Sequence, residues 1–291
     1  STSYTFIEAI APSTIALEVT GFEANVADFV SLSGDLGFKK SGTEIIAVGS
    51  DVTASLTAVV AVSVTLADAD FGLKAGAGST AFELKNGSFA ASIGGLAEVT
   101  ADTVLVRYTD ATTTVSANTE LTVGGTSYTF IEEIAANTVA LEVTGFTANV
   151  SDFVSLSGDL GFKKTGTEII AVGSNVSAVL SAGETVNVSL TNADFGLKAG
   201  TGTAFELKNG SFAASIGGLA DVTATTVLVR YTDAATAVTA GTVLTVGSTT
   251  YTFLDGIAGA TVAMEVTGFA ANVANFVSLS GNLGFKKSGA E

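Results

Sequence analysis

The stretch FVSLSGDLGFKK occupies Phe29 to Lys40, returns unchanged at Phe153 to Lys164, and appears a third time as FVSLSGNLGFKK from Phe276 to Lys287. The offsets are 124 and 123 residues, and the self-match runs through nearly the whole interval. AFELKNGSFAASIGGLA at Ala81 to Ala97 reappears intact at Ala204 to Ala220, and TVLVRYTDA at Thr103 returns at Thr226. Such self-similarity constrains the fold more than any local propensity, because each copy must adopt one shape and pack on its neighbours. Taken from the YTF at Tyr4, Tyr128 and Tyr251, the chain divides into a first unit at 1–125, a second at 126–248 and a partial third at 249–291, with no polar linker between them. Beginning and ending in mid-pattern is what a segment of a longer repetitive protein is expected to do.

Within a unit, apolar residues fall at every second position. Val30, Leu32, Leu36 and Phe38 share one face while Ser31, Ser33, Asp35 and Gly37 share the other; Val62, Val64 and Leu66, then Phe71 and Leu73, continue the pattern. This is the period of a β-strand, and the Val, Thr, Phe and Ile content agrees with it. The fold class is all-β. An alternating arm, a small polar corner, a second arm and a turn recur about every 18 residues, which predicts a parallel β-solenoid with seven coils per 124-residue repeat. TELTVGGTSYTFIEEIAANT forms the seventh coil in this reading, and its YTFIEEIAANT part could hold a short helical turn. The alternative is a tandem array of β-sandwich domains. The single proline, Pro12, and the absence of Trp favour the solenoid, since sandwich loops and linkers usually carry several prolines. In a solenoid, Leu36, Phe38, Phe71 and Phe89, recurring as Leu160, Phe162, Phe195 and Phe212, would form the stacked core.

Composition excludes several kinds of chemistry. With no Cys and no His, thiol nucleophiles, disulfides, imidazole metal sites and the usual general base are all absent, so no serine has a histidine to activate it and the chain is expected not to be an enzyme. A net charge of −16 repels phosphate backbones, so nucleic acid is not an expected partner. Mean hydropathy is +0.53, yet no run approaches the roughly 18 apolar residues of a spanning helix, and no membrane span is expected. Aromatic residues fall on the expected core side, which leaves few for stacking on sugars.

No resident cofactor is expected, and any metal must be held by oxygen. Asp35, Asp51 and Asp70 sit at successive polar corners, matched in the second unit by Asp159, Asn175 and Asp194. Coils in register would stack these carboxylates into a column about 4.8 Å apart, and a bridging Ca²⁺ would relieve the repulsion. The competing reading is a solvated corner favoured by Asx-turn geometry. The basic residues Lys39, Lys40, Lys74, Lys85 and Arg107 recur at fixed phases, as expected for solubility or edge protection.

ANVADFVSLSGDLGFKKSGTEIIAVGSDVTASL followed by TADTVLVRYTD resembles the repeats of giant bacterial and archaeal secreted or cell-surface proteins of β-solenoid, adhesin-like type. The resemblance covers the whole chain and implies an extracellular, structural or adhesive role. The GGxGxD nonapeptides of calcium-binding RTX repeats are absent, so their metal sites do not carry over. The leading expectation is a rod, fibre, sheath or adhesin stalk that self-associates into fibres or a longer array. A carbohydrate- or surface-binding module is the alternative, and a β-helical polysaccharide-cleaving enzyme a further one.

Overall fold

The computed structural model describes residues 10–289 apart from 27–28, 59–61, 111, 152, 184, 234–235 and 275, with residues 3 and 5 besides. The first YTF, at Tyr4, lies mostly outside them. The first repeat contributes six long strands, β1 (Thr14–Val26), β2 (Val30–Ser41), β3 (Glu44–Ala58), β4 (Val62–Gly76), β5 (Ser79–Ile93) and β6 (Ala97–Thr109), then two short ones, β7 (Glu120–Val123) and β8 (Thr126–Thr129). The second repeats this order with β9 (Thr138–Val150), β10 (Val154–Thr165), β11 (Glu168–Ala182), β12 (Val186–Ala199), β13 (Ala204–Ile216), β14 (Ala220–Thr232), β15 (Val243–Val246) and β16 (Thr249–Thr252). The strands β17 (Thr261–Val273) and β18 (Val277–Ser288) begin the third.

The long strands form one open sheet of 14, in the order β1-β2-β3-β4-β5-β6-β9-β10-β11-β12-β13-β14-β17-β18, with every neighbouring pair antiparallel. The all-β class therefore stands, but the coils expected to stack in parallel are successive strands of a meander. Period alone could not separate the two, because a strand of 12 to 15 residues plus a tight turn also repeats about every 18. The turns decide it. Ser41 pairs with Glu44 and Gly76 with Ser79, leaving two-residue connections, whereas parallel strands need crossovers of a dozen residues or more. The tandem sandwich is not seen either, since the sheet passes from β6 straight into β9 through pairs such as Val106 with Leu141.

The seventh coil is a hairpin instead. β7 and β8 pair through a two-residue turn at Gly124–Gly125, β15 and β16 through Gly247–Ser248, and no helical turn follows. The unit boundaries taken from YTF thus fall inside these turns, because self-similarity gives the length of a repeat but not its phase.

Most long strands change phase in the middle. Register shifts mark bulges in β1, β3, β4, β5, β6, β9, β11, β12, β13, β14 and β17, and at those of β3, β4, β5, β11, β12 and β13 the residues Asp51, Asp68, Asn86, Asn175, Asn192 and Asn209 adopt positive φ. Asn and Asp tolerate this backbone better than other side-chain-bearing residues. The bulge inserts one residue, so the apolar set keeps to one face. A Cβ on Gly49 would meet both Phe71 and Val52, and one on Gly87 would meet both Leu66 and Ala69, which puts Leu66, Ala69, Phe71 and Leu73 together on a single face across the bulge. On the opposite face, a Cβ on Gly72 would meet Tyr128 of the hairpin.

Each repeat's buried core lies under its hairpin. Val48, Ala81, Val115, Leu121, Val123, Tyr128, Phe130 and Ile134 form one cluster, and Ala140, Ile170, Val172, Ala204, Leu244, Val246, Tyr251, Phe253 and Ile257 the next. Phe38 and Phe162, expected inside a coil, lie on the other, uncovered face, each 41% exposed.

Candidate functional site

The most elaborate constellation of side chains in each repeat is the seat that holds the hairpin on the sheet. Glycine makes room for it. A Cβ on Gly37 would lie 2.7 Å from the Cβ of Val123, and one on Gly72 would lie 2.3 Å from the Tyr128 ring, so the hairpin rests against bare backbone. Gly161 with Val246 and Gly196 with Tyr251 repeat the arrangement.

Beneath the hairpin lies a charged network. Glu83 is completely buried. Its Oε1 accepts hydrogen bonds from the Tyr128 hydroxyl at 2.8 Å and the Ile131 N–H at 2.9 Å, and its Oε2 accepts one from Arg107 Nε at 2.6 Å. Arg107 Nη1 then reaches Glu132 at 3.0 Å. In the second repeat Glu206 accepts from Tyr251, Leu254 and Arg230, and Arg230 reaches Asp255 at 2.6 Å. Burial, with the Glu83 charge beside it, holds the Tyr128 hydroxyl well above its ordinary range; burial and the Glu206 hydrogen bond do the same for Tyr251. Lys85 adds a contact from outside, its Nζ 4.5 Å from the centroid of the Tyr128 ring and donating to the Thr129 carbonyl at 2.7 Å.

A second carboxylate holds the hairpin's tip. Glu142 on β9 accepts at Oε1 from the N–H and hydroxyl of Ser248 and from the N–H and hydroxyl of Thr249, at 2.7 to 2.8 Å. Glu18 on β1 accepts from Gly125 N–H at 2.7 Å and the Thr126 hydroxyl at 3.1 Å. At the base of the arm leading to the first hairpin, Asp110 accepts from the Thr112 and Thr113 N–H groups and hydroxyls and from Thr80 N–H, which together hold its carboxyl below the usual carboxylate range, the Thr112 amide foremost.

The acidic residues singled out as calcium candidates lie along the line of bulges, where the interrupted ladder exposes amides. Asp35 accepts from Gly21 N–H at 2.7 Å, and Asp159 from Gly145 N–H at 2.8 Å. Asp70 accepts from Asp51 N–H at 3.1 Å and from the Asn86 side chain at 2.7 Å; Asp194 does the same for Asn175 and Asn209. Asp51 itself contributes its left-handed backbone and its N–H, with its carboxylate beside Ser50. In the third copy Asn282 takes the place of Asp35 and accepts from Gly268 N–H at 2.9 Å, so a neutral amide oxygen serves as well as a carboxylate. Among the described residues no three acidic side chains converge on one point.

The sequence reading missed Glu18, Glu83, Arg107, Tyr128 and Glu142 as a working set. The signal was present: Glu83 stands between Phe82 and Leu84, and Glu142 between Leu141 and Val143, in arms where charge otherwise keeps to the ends. No known protein family, no curated protein and no solved structure matches the chain.

Proposed function

We propose that the chain is an extracellular structural protein, a stretch of repetitive ribbon that sets length and spacing in a fibre, sheath or adhesin stalk. The observation that carries this reading is the continuity of the sheet through the repeat boundaries: β6 pairs with β9 over Ala97 to Tyr108, and β14 with β17 over Ala220 to Tyr231. Each repeat adds six strands to one sheet, an advance of about 29 Å. The side-chain chemistry in the hairpin seats and along the bulges is directed at the backbone and side chains of the protein itself.

The test is to insert further copies of residues 126–248 and measure the maximum dimension by small-angle X-ray scattering. The reading expects a rise of about 29 Å per added copy. Particles that stay compact as copies are added would overturn it, and a specific glycan bound on an array would favour the carbohydrate-binding alternative.

A further inference from the structure

We infer that the apolar face of the sheet is an interface between copies of this chain, with two molecules packing apolar face to apolar face as the layers of a sandwich. The inference holds whether or not the ribbon serves as a spacer.

The face is built from nearly every long strand. Paired residues share a side of a sheet, and one row can be followed through Phe71, Leu84, Val106, Leu141, Phe162, Ala171, Leu197, Phe205 and Tyr231. Beyond the bulges a second row runs through Val64, Ala91, Val99, Ala148 and Leu156. The hairpins all lie on the other side, and among the described residues no element packs on this one. Even in the central strands Tyr108 is 42% and Leu141 43% exposed.

Two areas argue for a second copy. The chain's accessible surface is 16002 Å², whereas a folded monomer of 28.9 kDa has about 11400 Å². Fourteen strands of about 13 residues span a face of roughly 2700 Å², and a stable interface needs about 800 Å² from each partner. Contact over a third of the face suffices, which leaves room for the twist that sets aligned sheets at about 30°. Strand length argues against lipid. The apolar face follows strands of 12 to 15 residues, longer than the roughly 9 to 11 of a membrane strand.

The decisive measurement is sedimentation velocity on the 291-residue chain over roughly a hundredfold range of concentration. A monomer–dimer equilibrium is expected. The exposed pair Leu141→Lys and Phe162→Lys should weaken it by at least about tenfold, with circular dichroism unchanged, while Thr223→Lys on the opposite face should leave it intact. Because the chain has no Cys, an environment-sensitive dye at Tyr108→Cys should shift to the blue as the dimer forms, and one at Thr223→Cys should not. A chain that stays monomeric across the range, a dimer indifferent to the lysine pair, or a monomer that floats with phosphatidylcholine vesicles would each overturn the inference.

Discussion

The buried charge under the second hairpin offers a sharp test, because the first repeat serves as an internal control. In Glu206→Gln the side chain keeps its shape and one acceptor oxygen for Tyr251 and Leu254, but turns an amide donor, or no charge, toward Arg230. Breaking a buried pair costs about 3 to 5 kcal/mol. Arg230 is 17% exposed and keeps Asp255, so the lower end applies, about 3 kcal/mol. That is roughly a hundredfold faster hydrogen exchange of the β15–β16 amides, with the β7–β8 amides over intact Glu83 unchanged. Arg230→Met alone should cost a similar amount, and the double variant distinctly less than the two together, since neither charge is then stranded. Exchange at β15–β16 accelerated by less than tenfold, or losses that simply add, would refute the claim that the pair acts as one buried unit.

Three further outcomes follow from the geometry. Glu142→Ala removes four hydrogen bonds to one charged acceptor and should destabilise the second hairpin by about 2 kcal/mol in urea titration followed by tyrosine fluorescence, whereas Glu265→Ala, its exposed counterpart on β17, should change nothing measurable. Asp159→Asn should be tolerated, as Asn282 is in the third copy, while Asp159→Ala should cost about 1 kcal/mol in the same titration by orphaning the Gly145 amide. Tyr128 and Tyr251 have folded pKa values raised above the unfolded value of 10.0, so their contribution is complete below pH 10 and declines as pH rises beyond it; melting temperature should hold up to that point and then fall, and less steeply in Tyr251→Phe.

Strand content was legible in the sequence because alternation survives any strand neighbour: Val62, Val64 and Leu66 read the same in a solenoid, a sandwich or a meander. Pairing direction was legible too, but in residues given little weight. Gly42 and Gly78 in two-residue connections are hairpin chemistry, and a parallel coil has no use for them. The polar corners that the pattern puts at Asp35, Asp51 and Asp70 are, in the sheet, places along single strands where bulges interrupt the ladder. Alternation puts the aromatic residues on an apolar side, and Tyr128 and Phe130 do lie in a closed core, but Phe38 and Phe162 face outward. Alternation specifies that a residue belongs to the apolar side without specifying what covers that side. The hairpin seat stayed hidden for a related reason: Glu83, Arg107 and Tyr128 meet across 24 and 45 positions of chain, distances fixed by the fold of the whole repeat.

An open meander has its two chain ends on opposite edges, at β1 and β18. Tension applied between those ends acts across the strands, so the ladders part rung after rung from an edge instead of shearing all together. Each clipped hairpin interrupts such peeling once per repeat. Under stretching, the molecule should therefore lengthen in regular steps at modest force, dissipating work the way a row of stitches yields one at a time.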